Sequence, residues 1–503
     1  LAMNQERSPE SDAAQLQALG YTSKFDRTMT LWENFSLGFT YLSPVVGVYS
    51  VFALGLTSGG PPMFWNYILV GLGQLLVCLI FGEIVSQFPI SGGIYPWGRR
   101  LVGKGWAWMA GWVYLWALCT TIAAVAVGGA PFLSDCLRLG ASRPVETGLG
   151  VCMICATTLL NVSGTRLLAR VAMVGFVCEI VGAIVVGSYL LLFSRHQDFH
   201  ILFQTFHVTS AGSYLPAFLA SAVAPIFLYY GFEACGDVAE ETPSPSTTVP
   251  KAMRITLYIG GAAAILICLA LLLAVPDMRA AVSGIDVDPV VTALQTAVGR
   301  NGVRMIIAVI LISFFSCLVS LQAATSRLLF SFARDRMIPG SAYLSKLSPR
   351  THVPVAALIV AGFIPVVIVV IGLFLENAVR TIIVFGSAGI YVAFQMIVLG
   401  ALIARARGWR PSGPFRLNAW AWPINIAAFA YGIAAIADMF WPRTPSESWY
   451  LNYGMIFTCA IVIASGIAYM VIASPHQRGD APAGDAHLLT SRVVKAKIST
   501  TLE

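Results

Sequence analysis

The sequence predicts an all-α polytopic membrane protein of about twelve spanning helices. Three observations carry that expectation. Hydrophobic residues make up 57% of the 503 and charged residues 11%, with a mean hydropathy of +0.77. A water-exposed surface needs roughly 25% charged residues. The apolar residues also fall into about twelve runs near the ~20 residues a bilayer-crossing helix requires. Finally, the first and sixth runs, five spans apart, are both interrupted by helix breakers. Three soluble domains, a disordered chain and a nucleic-acid binder are all excluded: the net charge of +7 is spread thinly, with no basic block to track phosphates.

The runs cover approximately 34–56, 63–88, 106–133, 148–165, 168–193, 214–237, 253–275, 304–333, 354–374, 379–403, 419–441 and 450–473. Lipid offers no hydrogen-bond partners, and runs of this length are too long for barrel strands, so each is expected to be helical. Trp65, Trp106, Trp420, Trp441 and Trp449 fall near span ends, as an interfacial belt would place them. The connection 276–303 contains DPVVTALQTAVG, which suits a short amphipathic helix at the surface. Residues 1–33 and 474–503 read as solvated tails. The first thirty residues are polar, so no cleavable signal peptide is expected. The ten cysteines lie mostly within apolar runs and read as small packing residues, not as disulfides or metal ligands.

Twelve spans put both termini on one side, and Lys and Arg choose it. An inner N-terminus places 23 of the 31 basic residues inside and leaves 8 outside. Both termini are therefore expected in the cytoplasm, with the chain in the cell membrane.

A helix in lipid tolerates breakers only where the freed backbone groups face protein, water or a ligand. In the first span, FTYLSPVVGVYSVF carries Ser43, Pro44 and Gly47. In the sixth, IFLYYGFEACGDVAEE carries Gly231 followed by Glu233. Transporters built from two inverted five-helix repeats place discontinuous helices at these corresponding positions. The amides of Val45, Val46, Gly47 and Val48 would be bare donors for an anionic group. Carbonyls released around Tyr229 to Phe232 would suit a cation or an ammonium. A zwitterion or a polar organocation fits the pair.

The motifs in their order resemble the amino acid–polyamine–organocation superfamily, and most closely its amino acid/choline transporter branch. LGYTSKFDRTMTLWENFSLGFTYLSPVVGVYSVF resembles the branch's lead-in and first helix, followed by GGPPMFWNYILVG. GEIVSQFPISGGIYPWGRRL resembles the end of the second helix. YYGFEACGDVAEETPSPSTTVPKAM resembles the sixth helix and its loop. SLQAATSRLLFSFARDRMIPGS with HVPVAAL resembles the eighth-to-ninth region. The resemblance covers about residues 20–475. It implies a leucine-transporter-like fold, with five-helix repeats at 34–193 and 214–403 and two additional helices at 419–473. It also implies alternating access by rocking of a bundle against a scaffold.

Glu233 directly follows the Gly231 break. It either binds a substrate ammonium or exchanges a proton, or it pins the broken helix by accepting backbone N–H bonds. Glu179, in the middle of the fifth span, is a second coupling candidate; its alternative is a hydrogen bond to a Ser or backbone group inside the bundle. Proton-coupled relatives often carry a Lys in that helix, and none is present here. Ser313, Ser316 and Ser320 of the eighth span could serve sodium, as in sodium-coupled relatives, or act as interhelix glue. Phe227, Tyr230 and Phe232 could cover a substrate and hold an ammonium by cation–π attraction, or simply pack. Tyr114 and Trp116 are weaker versions of the same idea. Glu83, Arg99, Arg100, Glu240, Glu241, Arg334, Asp335 and Arg336 lie near the inner ends. Exposed ion pairs worth roughly 0–1 kcal/mol would suit a reversible gate, or these are ordinary positive-inside and capping residues.

A carrier is thus the first expectation, and a sensor that binds the solute without transporting it stays open as an alternative. All six histidines fall in loops or tails, so a membrane-embedded enzyme lacks its usual groups. No filter-like loop suggests a channel. The expected solute is an amino acid or a 4-aminobutyrate-like amine, with choline or a polyamine as the alternative. It would be driven by a proton gradient or exchanged for a counter-substrate, or driven by sodium instead. No cofactor, metal or nucleic acid is expected, and the protein is expected to be a monomer or homodimer.

Overall fold

The computed structural model describes residues 9–489, apart from 23, 141, 207, 209–211, 375 and 444–447. Among the described residues all regular structure is helical, and eleven helical segments are long and apolar enough to cross a membrane. The first span is two helices, Leu31–Leu42 and Pro44–Gly59, hinged at Ser43. Spans two to five are Phe64–Gln87, Lys104–Leu137, Arg143–Val162 and Thr165–Phe193. The sixth begins as Leu215–Leu228, a helix too short to cross alone. It resumes after a break as Ala234–Asp237. The remaining spans are Pro245–Ala274, Gly302–Arg334, Val355–Phe374, Glu376–Ala406, Ala421–Phe440 and Gly454–Ala473.

Local chemistry sets these limits. Thr30 and Glu33 form a reciprocal capping box at the start of the first span. Pro44 stands at the first position of the second half-helix, where its missing N–H is harmless. The surface helix expected in 276–303 is present from Pro289. It runs into the eighth span through a single non-helical residue, Gly299, at φ 65° and ψ 176°.

Burial separates centre from rim. The first and third spans are 78% buried over their most apolar stretch, against 22% for the fifth and 17% for the twelfth. The fifth turns Val174, Val177, Val181, Ile184 and Val185 outward, a face suited to lipid. The second span lies against the seventh and the fourth against the ninth, while the two halves of the first meet the sixth. Pairing of equivalent helices in this way is what two five-helix halves in inverted relation produce.

The tails are not the solvated arms their polarity suggests. Pro9–Ala18 is a helix, and Ala14, Leu16 and Leu19 are buried. On the C-terminal side Ala486 and Leu489 are buried. The Arg99 guanidinium donates to the carbonyls of Gly479, Ala481 and Pro482. The tails meet where Gly20 faces Pro482. Some of their polar groups are answered by protein, Asp12 by the Ser244 N–H and by Arg27, and Gln15 by the Ser246 hydroxyl, which composition alone does not reveal. Residues 1–8 and 490–503 of the expected tails lie outside the described residues.

Candidate functional site

The two breaks touch. Gly231 has φ +109°, and a Cβ there would stand 2.6 Å from the Leu42 amide nitrogen. The sixth span therefore crosses the first directly beside its hinge, and only glycine permits both the dihedral and the approach. A Cβ on Gly47 would meet the Leu228 side chain at 2.5 Å, so this glycine too serves close packing of the two spans.

At the first break Ser43 is left-handed, with φ 42° and ψ 85°. The amides expected to be bare are filled from within the protein. Val45 N–H donates to Glu179 Oε1 at 2.8 Å, Val46 N–H to Ser43 Oγ at 3.3 Å, and Gly47 N–H to the Ser43 carbonyl at 2.9 Å. The Ser43 hydroxyl also donates to Glu179 Oε1 at 2.8 Å. A carboxylate thus sits at the start of the half-helix, but it comes from the fifth span. The expectation of free donors fails for this reason: the dipole and the exposed N–H groups attract the nearest anion, and the fold supplies one.

At the sixth break residues 229–233 leave the helix. Glu233 is fully buried. Its Oε2 accepts the Gly231 N–H at 2.7 Å, and its Oε1 accepts the Tyr114 hydroxyl at 3.1 Å. The Tyr230 ring packs edge-on to Tyr41 at 6.0 Å, and its hydroxyl lies 3.3 Å from Ser387 Oγ. Phe227 reaches the Tyr230 ring at 6.2 Å. Phe232 packs with Phe81 and Phe394, a setting of apolar rings.

Of the eighth-span serines, Ser320 reaches the first span, its Oγ 2.7 Å from Thr40 Oγ1. Ser313 and Ser316 bond back to carbonyls of their own helix. Among the described residues no three His, Cys, Asp or Glu side chains gather as metal ligands.

The ion pairs at the ends expected to face inward are buried, not exposed. Arg334 forks onto Glu240 at 2.8 and 3.1 Å, and Arg327 onto Glu241 at 2.8 and 3.0 Å. Arg99 lies 3.3 Å from Asp335, whose carboxylate also accepts the Tyr95 and Tyr21 hydroxyls. Arg100 pairs with Asp485 at 3.0 Å. Glu83 joins Arg405 and the Leu417 amide, tying the second span to the tenth and to the loop beyond it. The expectation of weak surface pairs fails because the tails and the 238–246 loop cover these charges. A buried pair resists loss of one partner by about 3–5 kcal/mol.

Tyr114, named above among the weaker aromatic candidates, is the one that bonds to Glu233. Tyr41 was missed, because it looks like an ordinary span aromatic. Asp237, outside these contacts, is a fully buried acid four residues after Glu233 that sequence reasoning also passed over; its position one helical turn beyond the break was the available clue.

A family model described as amino acid permease matches residues 30–472. The chain belongs to the amino acid permease family. Among relatives of this permease, an uncharacterized amino-acid permease of Schizosaccharomyces pombe is 24% identical, covering 92% of this chain and 85% of its own. A putative polyamine transporter of Candida albicans is 23% identical over 94% of this chain and 89% of its own. The amino-acid permease BAT1 of Arabidopsis thaliana is 23% identical over 93% and 95%. A solved manganese transporter of Eremococcus coleocola superposes with a TM-score of 0.57 at 14% identity, covering 94% of this chain and 98% of its own; this likeness concerns the fold alone. The permease is an integral membrane transporter of the amino acid–polyamine–organocation superfamily with a leucine-transporter-like fold, and it is not an enzyme.

Proposed function

We propose that this permease carries a small amine-bearing solute, an amino acid or a 4-aminobutyrate-like compound, by alternating access across the cytoplasmic membrane. One observation carries the reading: the crossed breaks bury the Glu233 carboxylate on the Tyr114 hydroxyl, with the Tyr41 and Tyr230 rings packed together at the same crossing. A carboxylate with aromatic walls suits an ammonium. Relatives named as amino-acid permeases and as a polyamine transporter support a nitrogenous solute. Protons drive the cycle, or a counter-substrate does; several buried acids without a resident cation support a proton. The excess of Lys and Arg on one side supports cytoplasmic termini. The protein acts as a monomer or homodimer.

A second reading has its own support. Glu179 already occupies the Val45 amide, which favours an amine without a carboxylate, such as choline or a diamine. The two are separated by a thermal-shift screen of the purified protein against amino acids, 4-aminobutyrate, choline and putrescine at several pH and sodium values. Proteoliposome uptake of each hit follows. Stabilisation by amino acids or 4-aminobutyrate is expected. Response to choline or putrescine alone would overturn the first reading in favour of the second. Glu233→Gln is expected to abolish uptake, and normal uptake by that variant would remove Glu233 from the mechanism.

A further inference from the structure

Asp237 stands on the inner half of the sixth span and is fully buried. No group among the described residues hydrogen-bonds to either of its carboxylate oxygens. Arg327 of the eighth span attracts Asp237 without forming an ion pair with it, and it is already committed. Its Nε and Nη2 hold Glu241, and its Nη1 holds the Ser326 hydroxyl. The turn that ends the second span covers the acid. Gly92 N–H donates to the Asp237 carbonyl at 3.1 Å, and a Cβ on Gly93 would stand 2.6 Å from Asp237 Oδ1. Trp97 closes against Gly236. Among the described residues, the other titratable groups that interact electrostatically with Asp237 are Glu233 and Cys235 on its own span, Tyr41 from the first and Tyr114 from the third. None of these is a cation.

Burial of a bare carboxylate is untenable without a proton or a cation. Glu179 and Glu233 escape that constraint in part, because backbone amides and hydroxyls bond to them. Asp237 has no such support. It also lies between the break and the Arg327–Glu241 and Arg334–Glu240 pairs that close the inner end.

We propose that Asp237 is the proton-carrying group of the transport cycle. It holds a proton while the two ion pairs are closed. When they part, the carboxyl O–H bond breaks and the proton leaves to water at the inner face. Arg327, released from Glu241, then stands beside the new carboxylate and stabilises it until the solute has left. This rests on the proton-driven form of the function proposed above.

The test uses full-length protein in proteoliposomes with radiolabelled 4-aminobutyrate, comparing wild type, Asp237→Asn and Asp237→Glu. Asp237→Asn is expected to lose accumulation driven by an inward proton gradient while keeping counterflow, which needs no net proton movement. Asp237→Glu is expected to keep both. Gradient-driven accumulation by Asp237→Asn at the wild-type level would overturn the proposal. A readout without solute separates this from failure of the substrate reading. In pH-difference infrared spectra the wild type should show a protonated-carboxyl band that Asp237→Asn lacks; persistence of the band in Asp237→Asn overturns the assignment. Should Asp237→Asn fail to fold, Asp237→Glu replaces it, and an unmoved band in that variant is equally decisive against Asp237.

Discussion

The first and sixth spans break at matching places but in different ways. The first hinges on one residue, Ser43, and the helix resumes at once with Pro44. Its loose amide is held by Glu179, an acid 134 residues away in sequence. The sixth is open over residues 229–233, and its loose Gly231 amide is held by Glu233, only two residues on. The sixth break is thus clamped by its own chain, whereas the first is clamped by a side chain from another helix. When spans shift against one another, the bond at the first break can be exchanged without unwinding anything further. The bond at the sixth travels with its helix. The Glu233 contact is thus internal to its own segment, and the Glu179 contact joins two helices that can part.

The largest effect should come from removing the freedom on which both breaks depend. Gly231→Ala adds a Cβ at 2.6 Å from the Leu42 amide nitrogen, at a φ of +109°. Backbone strain and overpacking together should destabilise the protein by about 3 kcal/mol. The spans cannot stay crossed in this geometry, so thermal unfolding should shift sharply downward and uptake should vanish. Near-wild-type stability would mean that the crossing is looser than described.

A smaller and more selective effect is expected at the other clamp. Glu179→Ala leaves the Val45 N–H without its acceptor, a loss of about 1–3 kcal/mol. Glu179→Gln keeps an acceptor oxygen and should lose less than about 1 kcal/mol. Emptying the clamp should also change selectivity. Binding of 4-aminobutyrate, measured against choline, should strengthen in Glu179→Ala, because the solute's carboxylate can take the amide. Equal change for both ligands would show that this amide never meets the solute.

The contrast also explains what could be read in the sequence. Span number and approximate limits were legible, because a run such as Val355–Phe374 has no alternative in lipid. Both breaks were legible, because Pro44 lacks an N–H and Gly231 precedes an acid in an apolar run. The partner of the first break was not. Glu179 appears in sequence as an isolated acid, and only packing brings it to Val45. Burial of the ion pairs was hidden in the same way: Arg334 and Glu240 look like exposed end-of-helix charges until the N-terminal segment lays the Tyr21 ring over the guanidinium at 4.1 Å. Asp237 was passed over because a missing partner leaves no mark in a string of letters.

The smallest expected effect tests whether the first break is a strained hinge or a capped joint. Ser43 does two things there: its hydroxyl accepts the Val46 N–H and donates to Glu179. It also adopts φ 42°, which disfavours any residue with a Cβ. Ser43→Ala removes the hydroxyl and keeps the strain, so it should lose about 1 kcal/mol, the usual value of a helix N-cap. Ser43→Gly removes the hydroxyl and relieves the strain together, and should unfold close to the wild-type temperature. If Ala and Gly lose stability equally, the left-handed conformation stores no strain. The one-residue hinge would then be held by its hydrogen bonds alone, as the sixth-span clamp is.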